Sequence, residues 1–280
     1  MSRPADDPIV TVLRPPDHWP GLGLRELWLT RRIIFVLVQR MLLVRYRQAV
    51  LGFAWIIIQP LVLTIIISVF LGLVLGDRTR HGLPFPVFLF SAWVVWRPFQ
   101  RVLAEGSKSI EANGSLVKRV YLPRAVFPIS VSIATLVDLF SLAIALVVML
   151  VVFSISPGIG LLTMPILIAI MYAAGTGAAF FFSASSLKYP DMEFVVPLLS
   201  QAWFWGSPII YPSTAIPEAW RNFYFLNPMV VVIEGTRWAF TQTPMPPLEA
   251  WLIGGASAMA MLVGGYWYFH RRESLFSDQL

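Results

Sequence analysis

Cysteine is absent from this sequence of 280 residues. Its absence excludes disulfide bridges, thiol catalysis and metal sites built on thiolates. The histidines, His18, His81 and His270, are far apart in the sequence and form no metal-binding pattern. The nucleotide-binding pattern G-x-x-x-x-G-K-S/T is also missing, and no serine, histidine and aspartate fall into one plausible catalytic site. We therefore expect a chain that binds no cofactor and is not an enzyme by itself.

Charge is scarce as well. Only 13% of the residues are charged and 57% are hydrophobic, whereas a soluble domain usually carries about 25% charged residues. The net charge is +6, and the Lys and Arg residues lie mainly in short segments between apolar stretches. Cations in that position orient a chain against membrane lipids, so we expect no nucleic-acid partner.

Residues 1–23 are polar, rich in Pro and Asp and unlike a signal peptide, which favours a flexible cytoplasmic tail.

Long apolar stretches predict an all-α, polytopic membrane protein. The stretch from 51 to 76 carries no charge and exceeds the roughly 20 helical residues that cross a bilayer. Lys and Arg lie on one side of the predicted spans, with the exception of Arg78, Arg80, Arg221 and Arg237. Because cations stay on the cytoplasmic side, both termini are expected there. The six predicted transmembrane helices cover residues 51–75, 85–104, 126–153, 161–186, 194–211 and 250–269.

Three further segments of the predicted membrane domain, 24–280, do not span. Residues 24–47 have helical spacing of apolar residues with arginines on other faces, which indicates an amphipathic helix in the membrane interface. The alternative is a cytoplasmic helix packed on soluble protein. Residues 105–124 form a charged cytoplasmic segment. Residues 212–240, broken at Asn227-Pro228, suit two half-helices that enter the outer leaflet and return.

Charged and aromatic residues within the spans are candidate substrate contacts. Arg97 and Arg101 lie one helical turn apart beside aromatic side chains, so they either anchor at lipid headgroups or bind an anionic, sugar-bearing substrate. Asp138, inside the third span, is interpreted as a helix-pairing residue rather than part of a proton relay. The aromatic residues form either a membrane-interface belt or a path for carbohydrate. They are Trp93, Trp96, Phe99, Trp203, Trp205, Tyr211, Phe223 and Tyr224.

Three stretches resemble the permease subunit of type-2 ABC exporters for bacterial surface polysaccharides, the O-antigen, capsule and teichoic acid group. The first runs from Arg45-Tyr46-Arg47-Gln48 to Gln59-Pro60. The second covers residues 113–124, from Asn113-Gly114 to Leu122-Pro123-Arg124. The third begins at Ser207-Pro208 and includes Tyr211-Pro212, Ile216-Pro217, Leu226-Asn227-Pro228-Met229, Glu234-Gly235 and Arg237-Trp238. The likeness runs from about residue 24 to the C-terminus.

The resemblance implies a coupling helix that docks on a separate ATPase subunit. That role falls on residues 105–121, which without the resemblance would be interpreted as a solvated loop. The coupling candidates are Glu105, Lys108, Ser109, Asn113, Leu116, Lys118, Arg119 and Tyr121. The resemblance also makes residues 24–47 a gate helix, near which Arg45 and Arg47 are candidates for binding a pyrophosphate; membrane anchoring explains both arginines equally well.

The resemblance further implies a homodimer that pairs with two ATPase chains in the bacterial cytoplasmic membrane. ATP and Mg would be bound by those partners, and a polyprenyl-pyrophosphate-linked polysaccharide would be exported. Three alternatives remain open at this point: an exporter of drugs or simple lipids, a membrane glycosyl- or acyltransferase, and a purely structural membrane subunit. The polysaccharide itself is not specified by the sequence.

Overall fold

The computed structural model describes residues 28–47, 52–75, 83–119, 122–241 and 243–272, with only the backbone described at 46, 47, 72–75, 118 and 159. The predicted tail, 1–23, and Tyr121 lie outside these residues. Within them the regular structure is helical and no residue lies in a β-strand, as the all-α prediction expects. The helices are α1 (Arg31–Arg47), α2 (Trp55–Leu75), α3 (Phe85–Ser107), α4 (Gly114–Arg119), α5 (Val126–Ala134), α6 (Leu136–Val152), α7 (Met164–Ser186), α8 (Met192–Trp205), α9 (Glu218–Tyr224), α10 (Pro228–Thr241) and α11 (Leu248–Arg272).

Four stretches of the described residues are long and apolar enough to cross a membrane. They are Gly52–Leu71, Val126–Val152, Gly160–Ser186 and Leu248–Arg272, which correspond to the first, third, fourth and sixth predicted spans. The second predicted span corresponds to α3, which has 23 residues but carries Arg97, Arg101 and Glu105. A helix of that length covers about 34 Å, which exceeds the roughly 30 Å of a bilayer core. The count of six spans stays a prediction.

The predicted fifth span is shorter as a helix than the sequence indicated. Helix α8 has 14 residues and ends at Trp205, whereas the prediction extended to 211. Pro208 lacks an N–H group and disfavours a helical conformation in the residue before it, so the helix does not continue. At 1.5 Å per residue, α8 covers about 21 Å.

The predicted third span contains one irregular residue, although backbone hydrogen bonds of the helical type continue through it. Helix α5 ends at Ala134 and α6 begins at Leu136, with Thr135 between them. The hydroxyl groups of Ser130, Ser132 and Thr135 donate to backbone carbonyls of the preceding turn, at 2.7, 3.1 and 2.8 Å. Such hydrogen bonds compete with the regular helical pattern and bend helices.

Helices α3 and α7 form the centre of the bundle. Helix α7 packs on α3 and α11, and α3 also contacts α6, α10 and α5. Contact between α7 and α11 is very close, since a Cβ atom built on Gly265 would lie 2.0 Å from the backbone oxygen of Gly177. Small residues permit this approach between membrane helices. Helix α2 lies at one edge against α3 and α6, and α8 lies against α3 and α7.

The segment around Asn227-Pro228 folds as two short helices, α9 of 7 residues and α10 of 14 residues. Most residues of α10 are buried, and the helix packs on α3, α7 and α11. Its backbone is thus enclosed by protein, the condition under which short helices are tolerated at membrane depth.

Helix α1 is held on the bundle by one side only. Ile34, Leu37 and Val38 are buried in a cluster with residues of α5, α7 and α11. Phe35 and Val44 of the same helix are 62% exposed. The helix is therefore packed on the chain and still presents apolar side chains outward, as a helix in the membrane interface does.

Candidate functional site

A cavity of about 640 Å³ lies between α1 and the C-terminal end of α3, which the predicted topology places on the cytoplasmic side. We call it the inner cavity. Its apolar walls come mainly from α1, α5 and α8, and its charged residues come from α1, the last turns of α3 and the turn that follows α3. It brings Arg45, a predicted substrate contact, beside four of the predicted coupling residues. The lining residues are Leu37, Arg40, Met41, Val44, Arg45, Ala104, Glu105, Ser107, Lys108, Ser109, Ala112, Asn113, Val131, Val196 and Pro197.

Four charged side chains from three helices form an ion cluster at one edge of the inner cavity. Arg101 Nη1 donates to Asp138 Oδ2 at 2.6 Å, and Arg101 Nε lies 3.4 Å from Glu105 Oε1. Arg45 of α1 donates to Glu105 and lies 3.7 Å from Asp138 Oδ2. The Asp138 side chain is 3% exposed. Two arginines and two carboxylates neutralise one another, so Asp138 pairs helices, as its place in an apolar span indicated.

Lys108 connects the end of α3 to the start of α8. Its Nζ atom donates to Glu193 Oε1 at 2.6 Å, although both side chains are largely exposed. This hydrogen bond, together with the positive charge of Lys108, lowers the pKa of Glu193. The predicted coupling segment therefore has a direct contact with the short helix α8.

The other coupling candidates build the turn or lie on its surface. Ser109 Oγ donates to the oxygen of Gly106 at 2.7 Å, and Asn113 Nδ2 donates to the oxygen of Ser109 at 2.8 Å. Leu116 is partly buried against the cluster that holds α1, whereas Arg119 is exposed. The side chains of Lys118 and Arg47 and the whole of Tyr121 lie outside the described residues.

Arg97 differs from Arg101 in its surroundings. Its guanidinium group lies over the ring of Trp93, 5.3 Å from the centroid, and Nη1 is 3.4 Å from Gln100 Oε1. Among the residues that the structure describes, no carboxylate lies within 4.0 Å of it. The sequence places the two arginines one turn apart but gives no indication that only one of them is neutralised.

Most predicted aromatic contacts of α3 are in the protein core. Trp96 and Phe99 are fully buried, and Trp93 is 5% exposed. Phe99 meets Trp203 edge to face at 4.9 Å, and Trp93 stacks on Phe204 at 5.6 Å. These rings join α3 to α8, and a role in a substrate path stays a prediction for them.

The aromatic residues at the end of α8 and after it are arranged differently. Trp205 and Phe223 are 58% and 70% exposed. Tyr224 donates to the hydroxyl of Tyr211 at 3.2 Å, and Tyr211 donates to the backbone oxygen of Trp205 at 2.8 Å. The rings of Trp205 and Phe223 are therefore exposed, unlike those of α3.

Asn227 has a structural role that its place in the sequence does not indicate. Its Oδ1 atom accepts hydrogen bonds from Trp203 Nε1 and the Met229 N–H at 2.8 and 3.0 Å. Its Nδ2 atom donates to Gly206 O and Ser207 Oγ, both at 2.9 Å. One amide thus joins the end of α8 to the start of α10, which explains an Asn before Pro228 in the third resembling stretch.

Arg237 is fully buried, although its place in the sequence grouped it with the outer-side cations. Its guanidinium donates to Ile209 O at 2.8 Å and Phe88 O at 3.3 Å, and Nη1 lies 3.4 Å from Glu234 Oε1. Glu234 Oε1 also accepts the N–H of Ser213 at 2.8 Å. The i, i+3 spacing of Glu234 and Arg237 was the available indication of this pair.

A family described as ABC-2 type transporter matches residues 32–241. The chain is 26% identical to the O-antigen export system permease protein RfbA of Myxococcus xanthus over 261 residues, 92% of this chain and 98% of that protein. It is 29% identical to a protein of the same description from Klebsiella pneumoniae, over 72% of this chain and 77% of the relative. It is also 29% identical to the polysialic acid transport protein KpsM of Escherichia coli, over 69% and 75% of the two chains.

The family match begins within α1 and ends at the last residue of α10. It therefore includes the inner cavity, the ion cluster and the core of the bundle apart from the residues of α11. The chain belongs to the ABC-2 type transporter membrane family.

Proposed function

We propose that this chain is the permease of an ABC transporter that exports a lipid-linked polysaccharide across the bacterial cytoplasmic membrane. The observation that carries the proposal is the similarity to permeases named for O-antigen export, which extends over 92% of this chain for the relative from Myxococcus xanthus and over 72% for one from Klebsiella pneumoniae. A relative named for polysialic acid transport and one named for capsule polysaccharide export favour the same class of substrate. The polysaccharide is attached to a polyprenyl diphosphate in this proposal.

The proposed topology has six spans and both termini in the cytoplasm. Helix α3 supports it by its length, and α8 would cross together with the turn that follows it. The basic end of α11, His270, Arg271 and Arg272, favours a cytoplasmic C-terminus. The exposed apolar residues of α1 would lie among lipid tails, with its arginines at the headgroups.

The active transporter would be a homodimer of this chain with two ATPase subunits, which bind ATP and Mg. Helix α2 supports a second copy, because only a small part of it is buried within the chain. The core of a single bundle is packed in the part of the chain that the structure describes, which favours a glycan route between two copies over one within a bundle. The glycan would pass between the two copies, along a path bordered by Trp205, Tyr211, Phe223 and Tyr224.

Residues 105–121 would transmit the motion of the ATPase subunits. Two contacts support this: Glu105 pairs with Arg45 of α1, and Lys108 pairs with Glu193 of α8. A displacement of the segment would move both helices at the borders of the inner cavity. The diphosphate of the substrate would enter there, beside Arg40, Arg45 and Lys108.

Deletion of the gene tests the transport function. We expect lipid-linked polysaccharide to accumulate inside the cell and to disappear from its surface, with recovery on expression of the wild-type chain.

The coupling role is tested by Lys118→Glu with Arg119→Glu, which should leave ATP hydrolysis intact and lower export. Lys188→Glu, at an exposed cation of another loop, is the matched control. Unchanged surface polysaccharide in the deletion strain would refute transport, and unchanged export in the double variant would refute coupling.

A further inference from the structure

Helix α3 has a single open face. Between Val87 and Ser107 the residues that are not buried are Arg97, Gln100, Arg101, Ala104 and Glu105. Their spacing of three and four residues places them on one side of the helix. All but Ala104 are polar. Other sides of this stretch are packed against neighbouring helices, so the open face is the part of it that a ligand can reach.

The open face begins at the inner cavity and ends at Arg97. Ala104 and Glu105 line the cavity, and Arg101 belongs to the ion cluster beside it. Arg97 lies further along the helix, about 15 Å from Ser107 and about 18 Å from Phe85 at 1.5 Å per residue. It is therefore near the middle of a helix that matches the thickness of a bilayer.

An arginine at this depth requires an anion, water or several acceptors. Charged residues inside membrane segments are costly, and they usually face a hydrated cavity or pair with an opposite charge. Arg101 has Asp138 and Glu105 for this purpose, whereas Arg97 has one hydrogen bond of 3.4 Å to Gln100. Trp93, whose ring lies below the guanidinium, has an indole N–H without an acceptor among the described residues. Donors thus exceed acceptors around Arg97.

We propose that Arg97 is a second anion-binding position in the translocation path, occupied by a phosphate of the lipid-linked substrate after it leaves the inner cavity. This inference rests on the proposed function and adds a residue to it. A guanidinium group binds phosphate through two parallel hydrogen bonds. The headgroup of an ordinary phospholipid has the same chemistry, but Arg97 lies about 15 Å from the inner end of α3 and so away from the headgroup layer.

Labelling of a single introduced thiol tests whether position 97 faces a hydrated path. Because the chain contains no cysteine, Arg97→Cys places one reporter in the otherwise unchanged permease of the assembled complex. We expect rapid reaction with the anionic, water-soluble reagent methanethiosulfonate ethylsulfonate. Ile144→Cys is the control, because Ile144 is 64% exposed on the apolar surface of α6. An Arg97→Cys variant that reacts no faster than the Ile144→Cys variant overturns the proposal.

Protection from this reagent identifies the ligand. Polyprenyl diphosphate added to the complex should slow labelling of a Gln100→Cys variant, which retains Arg97 and places the thiol beside it on the open face, and should slow it less when Arg97→Gln is added. Vesicles of phosphatidylglycerol should not protect the Gln100→Cys variant. Equal protection by phosphatidylglycerol would assign the position to membrane lipid and overturn the proposal.

Restoring the charge separates a binding role from a structural one. We expect Arg97→Cys and Arg97→Gln to lower export about tenfold, as the loss of one charge-assisted hydrogen bond does. Reaction of the thiol in the Arg97→Cys variant with aminoethyl methanethiosulfonate, which returns a cation, should recover export, while the sulfonate reagent should not. Recovery by neither reagent, with normal assembly of the complex, contradicts the proposal. If the wild-type chain exports no polysaccharide, the proposed function fails, and labelling and protection still decide the role of Arg97.

Discussion

At the scale of single residues, charge pairing distinguishes side chains that look alike in the sequence. Arg97, Arg101 and Arg237 all occur in apolar surroundings, but two of them are paired with carboxylates and one is not, among the residues that the structure describes. Pairing determines the consequence of a substitution. Loss of a paired charge leaves its partner unsatisfied and affects stability, whereas loss of an unpaired charge affects what the protein binds.

Asp138 provides the test of this distinction. Asp138→Asn removes the charge of the buried carboxylate that pairs with Arg101 and lies beside Arg45, so we expect a loss of about 3 kcal/mol in stability. Asp138→Glu retains the charge and should cost less. The unfolding temperature of the purified complex measures both effects. An Asp138→Asn variant as stable as wild type would show that the ion cluster does not hold the helices together.

At the scale of helices, the crossing of α7 and α11 is a very close contact. A Cβ atom on Gly265 would lie 2.0 Å from the oxygen of Gly177, while one on Gly264 would have no atom within 4 Å. Gly265→Ala should therefore separate the helices and destabilise the chain by about 1–3 kcal/mol. Gly264→Ala, which tests the same substitution at the next position, should be neutral or slightly stabilising because alanine favours helix.

The unfolding temperatures of these two variants show whether the close contact at Gly265 determines how α7 and α11 pack. Equal temperatures for Gly265→Ala and Gly264→Ala would mean that the helices adjust without cost, and that the glycine contact does not determine their packing.

Helix positions were largely predictable because apolar length and flanking cations are local properties of the sequence. The first, third, fourth and sixth predicted spans coincide with helices of sufficient length and hydropathy. The end of α8 at Trp205 and the irregular residue Thr135 were not predicted. Contacts with distant residues add to the local effects at both places: Asn227 holds the turn after α8, and the Thr135 hydroxyl lies 3.1 Å from that of Tyr172. Pairing partners such as Arg101 and Asp138 are far apart in the sequence, so spacing alone does not identify them.

At the scale of the whole molecule, Lys108 and Glu193 connect the coupling segment to α8. The pKa of Glu193 is lowered from its ordinary value of 4.5, since Lys108 hydrogen-bonds to the charged form and attracts it. The contact is thus present above that ordinary value and is lost as pH falls through the lowered pKa. We expect the ratio of export to ATP hydrolysis to stay constant between about pH 6 and about pH 8, well above the carboxyl range.

A charge exchange tests the connection directly in the assembled transporter. Lys108→Glu should lower export per ATP hydrolysed because two carboxylates then repel, and the added Glu193→Lys should restore it. The single Glu193→Lys variant is the reciprocal control. If the double variant is as impaired as the single ones, the contact does not carry the motion to α8.

The number of spans determines on which side each loop of the molecule lies. If α3 and α8 both cross, Ser115 and Asp191 face the cytoplasm, and Ser156 and Glu218 face outward; all four are exposed in the chain. Because the chain lacks cysteine, each position is replaced by cysteine in a separate variant. A membrane-impermeant maleimide should label the Ser156→Cys and Glu218→Cys variants in intact spheroplasts, and the Ser115→Cys and Asp191→Cys variants only after lysis. Equal labelling at positions 191 and 218 would place both ends of α8 on one side of the membrane, and equal labelling at positions 115 and 156 would contradict the alternating order of the spans.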